Sequence, residues 1–299
     1  MPPLTFGWVV QPAPRPHMDP TDLHEYNQAS LRALTPAFTT VWVEDHFQWE
    51  DRPTLEAMTT LAYLAAEFPA FTYGSMVLGQ SYRNPALLAK MAATLHYLSG
   101  GRFILGIGAG WKEDEYHAYG YPYPPAGERV AQLAEAVQVI RALWTHSPAS
   151  FYGAHYTIEN AYCEPRPNPA IPLVIGGAGE RGTLRVAAQY ADGWNFNFGT
   201  PDECRHKLDV LRQHCADVGR DYDSLALSYY GMVDLPDDPA SFAPRGGFYL
   251  IGPTPREAIA QLRPFVEMGI SHILVRTTGM ATLQRFRDEV MPALTALAR

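Results

Sequence analysis

Short apolar runs and longer segments with an apolar stripe take turns along the whole chain. Strand-length runs occupy residues 4–10, 39–43, 71–78, 102–107, 173–175, 193–198, 225–233 and 272–276. Helix-length segments sit behind them at 20–34, 54–68, 85–98, 128–144, 180–190, 201–218, 255–268 and 281–297. The fourth run, with Phe103, Ile104, Leu105 and Ile107, is continuously apolar, as expected of a parallel strand covered on both faces. Segment 128–144 carries Leu133, Val137, Ile140 and Leu143 on one helical face. Segment 85–98 opens on proline, whose missing N–H costs nothing in a first helical turn. This alternation, without a composition break, predicts an α/β fold: a single (β/α)8 TIM barrel, residues 1–299 as one domain. A two-domain doubly wound protein is the competing architecture. Insertions are expected after strands 4 and 7. Residues 147–169, with Phe151, Tyr152, Tyr156 and Tyr162, predict a hairpin and an extended return. Residues 234–252, rich in proline, aspartate and glycine, predict a long rim loop.

Composition narrows the picture modestly. At 47% hydrophobic and 18% charged, the 299 residues can bury a full core. The net charge of −8 and the lack of a basic run argue against nucleic-acid binding. Any anionic ligand must be held by local devices such as helix N-termini and single arginines. Cys163, Cys204 and Cys215 have no metal-ligand spacing, so no metal site is expected; their odd number favours reduced thiols and a cytoplasmic location. The N-terminus lacks the pattern of a signal peptide, and no window reaches the roughly 18 apolar residues of a membrane span.

The chemistry concentrates where the strands end, the rim at which α/β barrels bind ligands. Strand two delivers Asp45 and His46, and a histidine beside an acid suits general acid/base work as readily as it suits a structural bond to a carbonyl. Gly74 and Ser75 interrupt strand three and suggest a bulge or a close backbone approach. Strand four exits through Gly106, Gly108 and Gly110, where backbone must lie close to something flat or anionic. Strand five exits through Gly176, Gly177 and Gly179 into a helix start, which is either an anion site or a tight connection. Strand six places Trp194 and Asn195 near the same mouth.

The ordered segments EDHF, SMVLGQSYRNPALLAKMAATL, SGGRFILGIGAGWKEDEYHAYG, PLVIGGAGERG and ADGWNF resemble the bacterial luciferase-like monooxygenase superfamily. The resemblance is strongest to the branch that uses the deazaflavin coenzyme F420, and it runs from about Phe6 to Asn197. It implies a (β/α)8 barrel with a flavin or deazaflavin at the C-terminal face. It further implies a non-prolyl cis peptide at a bulge in strand three that backs the ring, at Ser75–Met76 or Met76–Val77. By the same resemblance His46 lies near the reactive ring edge, Gly108, Ala109, Gly110 and Trp111 line the ring side, and Arg83 and Asn84 contact the cofactor. Gly176, Gly177, Ala178 and Gly179 hold its phosphate. Sugar-phosphate dehydrogenases of the superfamily carry a glutamate proton donor directly after the strand-four G-x-G; here Trp111 stands there. That leaves His46, with Asp45, as the catalytic expectation; Glu113 or Glu115 could substitute as the proton donor, but they are expected to face solvent or cap a helix start.

The resulting expectation is hydride transfer between F420 and a small-molecule substrate in a pocket drawing on Trp8, Phe47, Trp49, Trp111 and Trp194. An FMN-dependent monooxygenase and a non-catalytic ligand-binding barrel are the rivals. The anionic tail of the deazaflavin would call for basic rim residues such as Arg181 and Arg185, whereas FMN has no such tail. Helices 54–68 and 85–98 are apolar beyond one core-facing stripe, with Ala62, Ala65, Ala66, Ala89 and Ala92 allowing close approach, so a homodimer through them is expected.

Overall fold

The structure, a computed structural model, describes residues 3–14, 18–34, 36–243 and 247–297. Its strands, in chain order, are β1 (Thr5–Val9), β2 (Thr40–Val43), β3 (Thr72–Ser75), β4 (Leu78–Gly79), β5 (Phe103–Gly108), β6 (Ala149–Tyr152), β7 (Thr157–Ala161), β8 (Leu173–Gly176), β9 (Gly193–Asn197), β10 (Ala226–Val233), β11 (Leu250–Ile251) and β12 (His272–Thr277). The helices are α1 (Leu23–Leu34), α2 (Ala57–Glu67), α3 (Pro85–Leu98), α4 (Glu113–Ala118), α5 (Ala126–Thr145), α6 (Thr183–Tyr190), α7 (Pro201–Asp217), α8 (Pro255–Glu267), α9 (Met280–Arg285) and α10 (Met291–Leu297). Parallel pairing runs β10–β12–β1–β2–β3–β5–β8–β9 and returns from β9 to β10, so eight strands close a barrel. This is the expected (β/α)8 architecture. The antiparallel pair β6–β7 forms the expected hairpin between α5 and β8. The rim loop expected at 234–252 contains β11, which pairs with β10; residues 244–246 of it lie outside the described residues.

Two apolar regions hold the barrel. Most of the core lies between the strands and the helices, with Val41, Leu105, Leu173 and Ile273 facing Leu61, Leu88, Val137 and Leu262. A smaller cluster of Val9, Trp42, Met76, Tyr230 and Leu274 fills the lumen. Period-two alternation makes this possible, because Trp42 and Leu274 point inward while their neighbours point outward. Below them Thr5, Thr40 and His272 form a polar layer, with the imidazole nitrogens 2.7 and 2.9 Å from the two hydroxyls. Burial pulls the His272 pKa down to about 4, so this ring stays neutral.

Four expectations are corrected. The run 71–78 is two strands rather than one, because a cis peptide at Met76–Val77 turns the chain between β3 and β4. The helix expected from residue 180 starts at Thr183, because the glycine-containing loop continues to Gly182. Residues 113–118, not expected to be helical, form α4, which turns Glu115 and Tyr116 into the core. The helix expected at 281–297 starts at Met280 and passes through one wider turn at Phe286–Val290.

The turn at Val77 explains the glycines of strands four and five. A Cβ on Gly106 would lie 1.9 Å from the Ser75 carbonyl oxygen, and one on Gly108 2.9 Å from a Val77 methyl. One on Gly176 would sit 2.7 Å from both Val77 methyls. The glycines therefore make room for this protein's own bulge, not for a ligand alone. Ser75 closes the gap that the bulge opens in the ladder, its hydroxyl donating to Gly106 O at 2.8 Å and accepting from Gly106 N at 3.0 Å.

Candidate functional site

A cavity of about 550 Å3 opens at the C-terminal ends of the strands. Met76, Val77, Gly108, Gly176 and Gly177 bound it on the β3–β5–β8 side, and Glu44, Phe198, Tyr230 and Arg276 on the β2–β9–β10–β12 side. Asp45, His46, Trp49, Ala109, Gly110, Trp111 and Lys112 are among its other lining residues.

His46 leaves the end of β2 beside Asp45, yet the neighbouring acid is not its partner. Its Nδ1 lies 3.2 Å from both oxygens of Glu115 on α4. The Glu115 carboxylate also accepts from the backbone N–H of Phe47 at 3.0 Å and of Gln48 at 3.1 Å, and from the Tyr82 hydroxyl at 3.0 Å. Burial alone would push the Glu115 carboxyl up, but the hydrogen bonds and the His46 charge outweigh it and hold the group below its ordinary value. Burial, with the Glu115 charge added, raises the Tyr82 phenol. Accepting at Glu115 fixes Nδ1 as the donor and leaves Nε2 as the nitrogen free to exchange a proton. Trp49 packs against the imidazole at 4.6 Å between ring centres, and Trp111 meets it edge-on at 5.7 Å. Glu115, named from the sequence as a possible proton donor but expected to face solvent or cap a helix start, is fully buried against His46.

Asp45 does different work. Its carboxylate accepts from Gly79 N at 2.9 Å and from both terminal nitrogens of Arg83, each at 2.9 Å, while Arg83 also reaches Glu56. This ties the end of β2 to β4 just past the bulge. Arg83, expected at the cofactor, does not line the cavity: two carboxylates hold it beneath the rim. Asn84 is exposed and caps α3, accepting from Ala86 N at 2.9 Å.

Other expected residues are also displaced from the cavity. Ser75 lies behind the bulge as the staple described above. Trp194 is fully buried in the core, where it donates from Nε1 to Gly177 O at 2.9 Å, so it steadies the β8 loop without lining the cleft. Trp8 is buried outside the cavity, and Phe47 packs on Tyr82 at 4.4 Å and Tyr119 at 4.8 Å. Ala178 and Gly179 sit on the loop before α6, behind the lining residues Gly177 and Thr183. Gly177 has φ +112, a backbone conformation that side-chain-bearing residues rarely adopt, and α6 has no side-chain cap at Gly182. Gly110 has φ +77, and the Tyr116 hydroxyl occupies the position a Cβ would need. Among the described residues no cluster of His, Cys, Asp and Glu is arranged for a metal, and no helix is long and apolar enough to cross a membrane.

Parallel barrels place their chemistry at this mouth, and here the mouth combines a side-chain-stripped wall with an oriented imidazole. Fold and site are those of a barrel enzyme. The sequence profile of the luciferase-like monooxygenase family matches residues 4–244, and the chain belongs to that family. It is 28% identical to an F420-dependent glucose-6-phosphate dehydrogenase of Amycolatopsis mediterranei (strain U-32), over 93% of this chain and 96% of that protein. Its fold superposes on an F420-dependent secondary alcohol dehydrogenase in complex with an F420-acetone adduct, with a TM-score of 0.84, 20% identity and coverage of 98% and 99%. The coenzyme F420-dependent tetrahydromethanopterin reductase from Methanopyrus kandleri gives a TM-score of 0.81, 17% identity and coverage of 98% and 99%.

The buried Glu115 carboxylate makes a pH-dependent contribution to stability. Its folded-state pKa is lowered, so the stabilisation is present above the ordinary glutamate value of 4.5 and is lost as pH falls through the folded value. Glu115→Gln is expected to cost about 1–3 kcal/mol at pH 7. The gap to wild type should close as pH falls below the ordinary glutamate value of 4.5 and through the lowered folded value, where the wild-type carboxylate takes up its proton. Denaturant titrations at both pH values measure this, and a pH-independent gap would show that charge plays no part.

Proposed function

We propose that the chain is an F420-dependent oxidoreductase that transfers a hydride between the deazaflavin and a small organic substrate. The observation that carries this reading is the Val77 bulge seated on Gly106, Gly108 and Gly176, which strips one cleft wall of side chains. The near full-length similarity to a dehydrogenase named for F420 supports the choice of cofactor. The residues present fit such a group: Gly108, Gly176 and Gly177 would lie along it, and Thr183 with the uncapped start of α6 would take its phosphate. Arg181 and Arg185 are exposed nearby with no ion pair among the described residues, available to an anionic tail. When bound, F420 would supply or accept the hydride.

The chain's own residues would do the rest. His46 would exchange the proton at Nε2 that accompanies the hydride, as base in oxidation and as acid in reduction. Glu115 would hold the ring through Nδ1. Trp49 and Trp111 would restrict the imidazole and keep water from the reacting centre. Asp45 would act structurally, by anchoring Gly79 and Arg83, rather than as a proton carrier. Buried free thiols at Cys163, Cys204 and Cys215 suit a reducing cytoplasm.

The chain also presents a face suited to a second copy. Glu56 is engaged by Arg83, Glu67 by Gln28, and Lys90 by the Glu164 carbonyl, so the charges of α2 and α3 are held within the chain. Tyr63, Leu87, Tyr97 and Leu98 remain exposed around a groove lined by Ala62, Ala66 and Met91. We propose that a homodimer covers this face.

Three measurements test these proposals. Dissociation constants for F420 and FMN, taken side by side, should favour F420; tighter FMN binding would point to the monooxygenase rival. His46→Ala should lower turnover about 10²–10⁴-fold while leaving F420 affinity within a few-fold. Loss of affinity without loss of turnover would make His46 a binding residue. Sedimentation equilibrium should give twice the 33.2 kDa chain mass, and a monomer at micromolar concentration would remove the dimer.

A further inference from the structure

The second wall of the cleft carries a charge arrangement that hydride transfer leaves unused. Strand alternation turns Glu44 inward two residues after Trp42, and Arg276 inward two residues after Leu274. Closure of the barrel then brings both to Tyr230 on β10. Glu44 Oε2 accepts from Arg276 Nη1 at 2.6 Å, and Glu44 Oε1 accepts from the Tyr230 hydroxyl at 3.0 Å. The Glu44 and Arg276 side chains are only 9% and 18% exposed, so the pair interacts with little solvent screening. Burial opposes the Arg276 charge, and the Glu44 carboxylate overcomes it and raises the pKa of the guanidinium.

Among the described residues lining the cleft, the lysine and arginine side chains are Lys112 and Arg276. Lys112 is paired with Asp114 and lies 5.1 Å over the Trp49 ring. Arg276 is paired with Glu44 and lies 5.9 Å from the centre of Phe198. In strand order β12 lies opposite β5 across the barrel, so Arg276 stands on the wall away from the glycines. Neither cation is left without a carboxylate, and the lining also includes the rings of Trp49, Trp111, Phe198 and Phe248.

We propose that Glu44 sets the substrate charge: by neutralising Arg276 it closes the cleft to phosphorylated and carboxylate substrates and selects an uncharged organic molecule. An anion approaching Arg276 would meet the Glu44 carboxylate at the same guanidinium, and like charges in a poorly solvated site are a strong device of rejection. An uncharged molecule suffers no such repulsion and gains apolar contact with the aromatic rim. This rests on reading the cleft as the substrate site of an F420-dependent oxidoreductase, and it specifies the substrate class of that site.

The test titrates wild type, Glu44→Gln and the double variant Glu44→Gln/Arg276→Gln with inorganic phosphate and with glucose 6-phosphate by calorimetry. Each protein is first loaded with F420, checked by the absorbance of the desalted complex. Wild type should show no saturable binding of either anion. In Glu44→Gln the amide oxygen can still accept from Arg276 while the amide nitrogen donates to the Tyr230 oxygen, and the charge is released, so it should gain roughly tenfold or more in anion affinity. The double variant should lose that gain. Failure to load F420 would overturn the cofactor reading by itself; the same titrations on the unloaded proteins would still report the Arg276-dependent difference. Saturable binding of glucose 6-phosphate to wild type, or no gain in Glu44→Gln, overturns the proposal. If Glu44→Gln does not fold, the comparison of wild type with Arg276→Gln decides: binding of glucose 6-phosphate that Arg276→Gln abolishes refutes it, and its absence from wild type supports it.

Discussion

The seat of Val77 against three glycines governs the rest of this site. Two methyls placed 2.7 Å from where a Gly176 Cβ would be leave no room for any other residue there, because close-packed interiors transmit such a clash to the backbone. The bulge turns the chain from β3 to β4, and two polar devices hold it. Ser75 bonds both backbone groups of Gly106 on one side, and Asp45 takes the Gly79 N–H on the other. Because Asp45 is committed to that anchor and to Arg83, the adjacent His46 has to find its acid elsewhere. It finds Glu115 on α4, whose carboxylate also gathers the backbone N–H groups of Phe47 and Gln48. Wall and imidazole thus belong to one connected construction.

Three buried carboxylates at this mouth have three distinct tasks, set by what donates to them. Asp45 receives a guanidinium and a backbone N–H and acts as a brace. Glu115 receives an imidazole, two backbone N–H groups and a phenol, and orients the His46 ring. Glu44 receives a guanidinium and a phenol and balances the charge of the far wall. Each is satisfied at both oxygens, as buried ions must be when leaving one partnerless would cost several kcal/mol. The start of α6 is different: it has no side-chain cap at Gly182, Gly177 before it has a positive φ, and Arg181 on the loop and Arg185 in the helix are exposed.

The barrel was legible because strand-length apolar runs alternate with helix-length segments carrying an apolar stripe. The glycines at 106, 108 and 176 were legible as a place where side chains are excluded, although the main occupant of the space proved to be Val77. The site partners were much less legible. Asp45 stands next to His46 in the chain, but the carboxylate that meets the ring comes from 69 residues further on. A signal for Glu115 was hidden in the short segment 113–118, too brief for helical periodicity to show. Signals for Glu44 and Arg276 were present in the two-residue spacing from Trp42 and from Leu274, which predicts a lumen-facing position once the strand is known to belong to a closed barrel.

By itself the sequence determined the alternation of strand-length and helix-length segments, the positions barred to side chains and the class of barrel, since these depend on local periodicity and on residue chemistry. Only the tertiary structure decided which charges meet. Glu44 and Arg276 are 232 residues apart, and His46 and Glu115 are 69 apart. No local preference encodes such pairs: barrel closure alone sets which strand ends face one another, and burial then forces each ionised group onto the partner that geometry supplies.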